Sequence, residues 1–350
     1  MNLTLAEYFN HAIQNPIILI ISALVIGLMY FNGSSGASNT VAVCVGTRSL
    51  TPKKTIALAI VFNFLGVFIM TIISSKVAQT MFTLANFGSN SNIALTALTG
   101  GLIAIVAWMG LSTLLGIPSS SSHILAASIS GAAIAVNGFG ALNIDSWKLV
   151  LIGLLISTVV GFFAGNIVAK IVERICRYMD RTKTTPFFKV TQIFSAGATA
   201  FMDGAQDGQK AMGIFMLAIA FAAGGTNTGE VIIPWWLMLI CSLSMSLGTA
   251  LNANKMIKNV GVKMVKLEPY QGTCADIANV ACSVFASLTG MPMSTTHTKI
   301  SSMMGVGASR NIKRINWITV RSMIVSWIIT FPGCIMLAYV VTTILLKIYT

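Results

Sequence analysis

Gly116-Ile-Pro-Ser-Ser-Ser-Ser-His123 and Gly290-Met-Pro-Met-Ser-Thr-Thr-His297 are two copies of one motif, set 174 positions apart. The same offset carries Gly131 onto Gly305. Upstream, Gly33-Ser-Ser-Gly-Ala-Ser-Asn39 faces Gly204-Ala-Gln-Asp-Gly-Gln-Lys210 at an offset of 171. One Ser-rich run can match another by chance. Two paired motifs, in the same order and at nearly one offset, point to internal duplication.

The sequence between the motifs sets the fold class. Of 350 residues, 55% are hydrophobic and only 9% charged, where a soluble domain carries roughly 25% charged residues. Apolar runs recur at roughly 15–31, 55–74, 93–115, 124–137, 148–172, 192–201 with 214–227, 231–253, 273–289, 296–308 and 318–346. Several fall short of the ~20 residues that span a bilayer. They predict broken or re-entrant helices, whose free backbone groups must be buried in protein or line a watery cavity. The expectation is an all-α polytopic membrane protein of about 10–12 transmembrane segments.

The net charge of +13 does not mark a nucleic-acid binder, because the charges sit in short clusters between apolar runs. These are Arg48, Lys53 and Lys54; Arg174, Arg177, Arg181 and Lys183; Lys255, Lys258, Lys263 and Lys266; and Arg310, Lys313 and Arg314. Such clusters mark the cytoplasmic side. The first Gly-rich motif is followed by a basic cluster, whereas the second is preceded by one. The first Ser-rich turn leads into a nearly neutral stretch, and the second leads directly to Arg310. The halves are therefore threaded in opposite senses, as inverted repeats that place a substrate site near the midplane. The expected division is a first repeat at 1–172, a basic cytoplasmic linker at 173–191 and a second repeat at 192–350. The N-terminus is expected outside the cell membrane, with no cleaved signal peptide, since no basic region precedes the first apolar run.

Few residues could carry chemistry. Six cysteines form no CxxC pair and read as packing residues, with no metal site expected. Among nine acidic residues, Asp203, Asp207 and Asp276 lie at or near apolar runs, as do Lys210, Lys299, His123 and His297. An intramembrane charge is a functional candidate whose partner must be found. Lys210, three residues beyond Asp207, shares its helical face; a purely structural ion pair is the plainer alternative. The hydroxyl runs, with Ser120, Ser121, Ser294, Thr295 and Thr296, offer O–H donors beside helix N-termini that favour anions. Plain N-capping is the competing reading. The Gly-rich motifs are expected to break or unwind their helices beside these turns, and Asn39, Gln206, Asp207 and Lys210 to add polar groups.

These motifs resemble the PiT family of inorganic phosphate transporters over nearly the whole chain. Thr47-Arg-Ser-Leu-Thr-Pro52, Gly204-Ala-Gln-Asp-Gly-Gln-Lys-Ala-Met-Gly213, Pro292-Met-Ser-Thr-Thr-His297, and Tyr270-Gln-Gly272 through Asp276 carry the likeness. The first signature departs from the family pattern, with Gly36 at the acidic position and Ser35 beside it. The resemblance implies a secondary active transporter of phosphate, coupled to Na+ or H+, with no cofactor and no catalytic residue. It implies anion contacts from Asn39, Ser120, Ser121, Gln206, Lys210, Ser294, Thr295 and Thr296. The coupling ion falls to Asp207, Asp203, Asn39 and Asp276, with Asp203 standing in for the acid missing at Gly36. Related permeases carry sulfate, which a carboxylate-poor site suits, because a carboxylate accepts a hydrogen bond from monohydrogen phosphate but only repels sulfate. A passive channel and an intramembrane hydrolase built on Ser119–Ser122 with His123, or on Ser294 with His297, are the alternatives from other classes. Adjacent residues are not triad geometry, however. No nucleotide-binding GxxxxGK[ST] loop occurs. The lipid bilayer and further copies of the chain are the expected partners.

Overall fold

The computed structural model describes residues 3–115, 119–224, 229–260, 267–315 and 317–349, with all their side chains except those of 37–39, 41, 42, 252–260, 314, 319, 322 and 323. Gly116–Pro118 of the first Ser-rich turn, the side chain of Asn39 and those of the cluster Lys255 to Lys266 lie outside that set. The described residues are helical, with no β-strand among them. A short amphipathic α1 (Leu5–Gln14) is closed by a Thr4/Glu7 capping box. The first half continues with α2 (Ile17–Gly46), α3 (Pro52–Ile73), α4 (Lys76–Phe82), α5 (Ser91–Leu115), α6 (Ser121–Asn137), α7 (Ile144–Leu155) and α8 (Gly161–Ile175). The second half holds α9 (Arg181–Ala222), α10 (Trp235–Val260), α11 (Pro269–Thr289), α12 (Thr295–Arg310) and α13 (Trp317–Tyr349).

The helix boundaries follow from local chemistry. Pro52 and Pro269 open α3 and α11, where a missing N–H costs nothing. Gly290 ends α11 in the left-handed region at φ 79, which glycine adopts without steric cost. Pro292 then holds the chain extended, and Ser294 caps α12. Among the described residues, six stretches are long and apolar enough to cross a membrane. Large apolar side chains such as Phe163, Ile328 and Met336 face outward on them, as lipid-facing positions require. This is a multi-pass, all-α membrane protein.

The packing repeats across the two halves. α2 lies on α10, and its counterpart α9 lies on α3. α6 lies on α13, and its counterpart α12 lies on α8. Likewise α5 meets α13 as α11 meets α8. Each half thus completes its core with helices of the other. An alanine Cβ at Gly131 would stand 2.9 Å from the Ile335 Cα on α13, and one at Gly305 2.8 Å from the Phe162 carbonyl carbon on α8. The glycines related by the 174-residue offset are the points where these crossings close.

One expectation is corrected here. The Gly-rich motifs do not unwind their helices: α2 runs unbroken through Gly33–Asn39 and α9 through Gly204–Lys210. Their glycines serve helix approach instead. A Cβ at Gly33 would lie 2.8 Å from the Met245 carbonyl carbon on α10, and one at Gly204 3.1 Å from that of Asn63 on α3. Small residues let membrane helices come close, and helix hydrogen bonding continues because nothing competes with it.

Candidate functional site

The two Ser-rich turns meet. α6 and α12 both begin inside the protein, and their N-caps touch: Ser120 Oγ donates to Ser294 Oγ at 2.8 Å. Each serine also caps its own helix, Ser120 accepting from the His123 N–H and Ser294 from the His297 N–H. Three residues in, the rings of His123 and His297 face each other at 4.5 Å between centroids. The pseudo-two-fold axis therefore passes between equivalent residues of the two turns. Both serines are N-caps, and the same two side chains also meet each other.

Hydrogen-bond accounting shows what this junction can still do. Ser294 Oγ accepts from Ser120 and from His297, so its own proton remains to be donated. Thr295 and Thr296 occupy the first turn of α12, buried, and make no side-chain hydrogen bond among the described residues. Ser294 N–H is held by Ser157 Oγ at 3.0 Å. Ser157 sits in the π-helical turn Ile156–Val160 that joins α7 to α8, and such local widenings are frequent at functional sites.

Charge arrives from α9. Asp207 Oδ1 accepts from Ser121 at 3.1 Å and from Lys210 Nζ at 2.8 Å. The Lys210 ammonium, fully buried, spends its other two protons on Ser122 Oγ at 2.7 Å and the Met293 carbonyl at 2.6 Å. One side chain of the second half therefore ties both turns together. Gln206 does a similar job: its amide donates to Ser287 Oγ, and its oxygen accepts the Met293 N–H. The structure thus brings Ser120, Ser121, Gln206, Asp207, Lys210, Ser294, Thr295 and Thr296 into one buried cluster. Gln206 and Lys210 hold its walls in this conformation. Asp203 is fully buried one turn earlier on α9.

Asp276 lies elsewhere, in a second buried cluster. Its carboxylate pairs with Lys299 on α12 and accepts from Gln192, from Ser195 at 3.0 Å and from Thr199 at 3.2 Å. Sequence reasoning named Asp276 and noted Lys299 without a partner. Gln192, Ser195, Thr199 and Ser157 were missed, since a polar residue near an apolar run carries no signal until its neighbours are known. At the end of the molecule holding the basic clusters, a cavity of about 350 Å³ is lined by Glu173, Arg177, Arg181, Phe188, Tyr270 and Arg310, among others. There Glu173 accepts from Arg310 Nε at 2.9 Å and from Tyr270 at 2.9 Å, joining α8, α11 and α12.

Comparison with known proteins gives the family and the fold. A profile described as the phosphate transporter family matches residues 32–184 and again 176–338, once for each half. A probable low-affinity inorganic phosphate transporter of Bacillus subtilis is 35% identical over 90% of this chain and 92% of its own length. One from Rhizobium meliloti is 28% identical over 92% and 95% respectively. A solved structure titled "The sodium-dependent phosphate transporter" superposes with a TM-score of 0.87 at 20% identity, covering 96% of this chain and 100% of that one; that likeness shows a shared fold. The chain belongs to the phosphate transporter family.

Proposed function

We propose that this member of a transporter family moves inorganic phosphate across the cell membrane by secondary active transport, with the anion bound where the two hydroxyl turns meet. The observation that carries the reading is the contact of Ser120 with Ser294 across the two halves. It puts two helix N-termini and a set of hydroxyl donors on one point, and helix N-termini favour anions through free N–H groups and the dipole. Ser294, Thr295 and Thr296 supply the donors, Ser121 joins them by turning its one proton from Asp207 to the anion, and Asn39 stands on α2 in the register of Lys210. Gln206 and Lys210 hold the turns until the anion arrives, when Lys210 exchanges the Met293 carbonyl for an anion oxygen.

Coupling follows from charge. Asp203, Asp207 and Asp276 are buried with Lys210 and Lys299, three carboxylates against two ammonium groups. This sum of one negative charge opposes an incoming anion, because two like charges 4 Å apart repel by about 4 kcal/mol at an effective dielectric of 20. A cation must enter with the anion, and Na+ or H+ supplies it at Asp203 and Asp207. Alternating access then rocks the halves about the turns, with the N-terminus outside and the basic clusters in the cytoplasm. The repeats divide at the basic linker 173–191. Gly36, lacking the carboxylate that would accept a hydrogen bond from monohydrogen phosphate, favours sulfate as the second reading.

The test is Asp207→Asn in proteoliposomes. Yield falls, because the buried Lys210 ammonium loses its carboxylate, and the protein that does insert no longer takes up the anion against a gradient. Gradient-driven uptake that survives the substitution refutes the coupling role.

A further inference from the structure

Asp276 and Lys299 form an ion pair that the fold does not require. Shifting each by the 174-residue offset gives Leu102 on α5 and Leu125 on α6, both fully buried. The first half therefore fills the same two places with apolar side chains. Replacing a buried ion pair by well-packed apolar residues is often neutral or stabilising. A pair kept in one half only, inside a membrane, points to a task other than packing.

The surroundings of Lys299 indicate that task. Its ammonium is 1% exposed and lies against the Asp276 carboxylate, whose two oxygens also meet Gln192, Ser195 and Thr199. Two carboxylate oxygens and two hydroxyls form a hard, oxygen-rich shell of the type that binds small cations, and the Gln192 amide, which turns its nitrogen to Asp276 and its oxygen to Thr273, adds a further oxygen when it flips. Hydroxyls accept as readily as they donate, so the shell suits a cation in place of the ammonium. A chain of hydrogen bonds runs from the shell toward the basic end. Thr273, one turn before Asp276, bonds to Gln192 and to Thr191 at 3.4 Å and to the Phe188 carbonyl at 3.4 Å. Phe188 lines the 350 Å³ cavity at the basic end.

We infer that Lys299 is a tethered cation occupying a latent monovalent-cation site built from Asp276, Gln192, Ser195 and Thr199. On this inference, which deepens the coupling scheme proposed above, Asp276 takes up no coupling ion in the native protein. Removing the ammonium frees the site for Na+, and the protein then binds one more Na+ than before. A lysine that is merely a structural partner would leave a damaged protein indifferent to Na+.

The test uses the full-length protein in detergent, melted in 100 mM NaCl and in 100 mM choline chloride. Because a ligand that binds only the folded state raises its melting temperature, the sodium-dependent rise in Lys299→Ala is expected to exceed that of the native protein by about 3 °C or more. In Lys299→Ala with Asp276→Asn the excess disappears. Lys299→Gln removes the charge but leaves a shorter polar side chain whose carbonyl oxygen can itself ligate a cation; it provides a form whose folding is better protected and is expected to show an excess of the same sign. If both single variants respond to Na+ no more than the native protein does, the inference is wrong. If Lys299→Ala folds in NaCl alone, the inference is supported. Since the melts need no phosphate, their failure is separable from failure of the transport reading, which uptake alone decides.

Discussion

Replacing Gly33 by alanine separates two uses of a Gly-rich motif. If the glycines close a helix crossing, the new Cβ at Gly33 stands 2.8 Å from the Met245 carbonyl carbon, whereas ordinary contact begins near 3.4 Å. The Met245 carbonyl oxygen lies closer still, so α2 and α10 must part by well over the ~0.6 Å that the carbon alone requires, in an interior packed as densely as a crystal. The same crossing carries a hydrogen-bond chain, Asn63 Nδ2 to Thr249 Oγ1 and Thr249 Oγ1 to the Gly33 carbonyl, each at 3.1 Å. Overpacking costs about 1–3 kcal/mol. A weakened buried hydrogen bond adds about 1 kcal/mol, and alanine's better helix propensity returns about 0.5–1 kcal/mol. The net loss is about 1–3 kcal/mol, or a fall of roughly 1–4 °C in melting temperature for a chain of this length. Gly36, three residues on, is the control: its Cβ would meet only the flexible Met245 Cε at 3.9 Å. Gly36→Ala should gain stability by about 0.5 kcal/mol, a rise of roughly 0.5–1 °C. The native cysteines provide the assay, since Cys44, Cys241, Cys274, Cys282 and Cys334 are buried and react with a fluorogenic maleimide only as the protein unfolds. Equal shifts in the two variants, or a lower melting temperature for Gly36→Ala than for Gly33→Ala, refute the argument.

Lys210→Met leaves Asp207 buried beside Ser121 without its cation, a loss of about 3–5 kcal/mol expected as poor yield from membranes. Adding Asp207→Asn restores much of the yield, and a double-mutant cycle on melting temperature measures the coupling. Ser294→Ala with Thr295→Ala removes two anion donors and the α12 cap. Half-saturation for uptake should rise about tenfold or more, at about 1.5–3 kcal/mol for each hydrogen bond to a charged group. Arg310→Ala opens the Glu173–Arg310–Tyr270 junction over the basic-end cavity. With about 0.5–1 kcal/mol at stake in a half-exposed pair, Cys274 labelling by an impermeant maleimide from that side is expected to rise twofold to fivefold.

The overall architecture could be read from the sequence because it is written as repetition. The pair of hydroxyl turns announces two halves, and the basic clusters announce their opposed directions. Gly131 and Gly305 keep the offset and turn out to close matching crossings, but the offset showed only duplication, and the neighbouring backbones show that these glycines are contact points. What the Gly-rich motifs do was not readable. A glycine that unwinds a helix and a glycine that lets another helix approach have the same letter, and only the Met245 and Asn63 backbones decide between them. Site composition was partly legible for the same reason. Ser120, Ser294, Asp207 and Lys210 belong to spaced motifs and could be named. Ser157, Gln192 and Thr199 act through neighbours more than a hundred or some eighty residues away and carry no local signal. Lys299 shows the boundary case: its cost inside a membrane marks it as notable, but its partner on another helix supplies the meaning.

The most direct test of the central claim is uptake of radiolabelled phosphate into proteoliposomes of the purified chain, with unlabelled sulfate as competitor, under Na+ and H+ gradients imposed separately. Phosphate that accumulates under one of the two gradients, and that sulfate does not displace, is the result expected of a cation-coupled phosphate site at the paired turns. Labelled sulfate accumulating while phosphate does not would contradict the phosphate assignment, and equilibration of either anion without accumulation would contradict coupled transport.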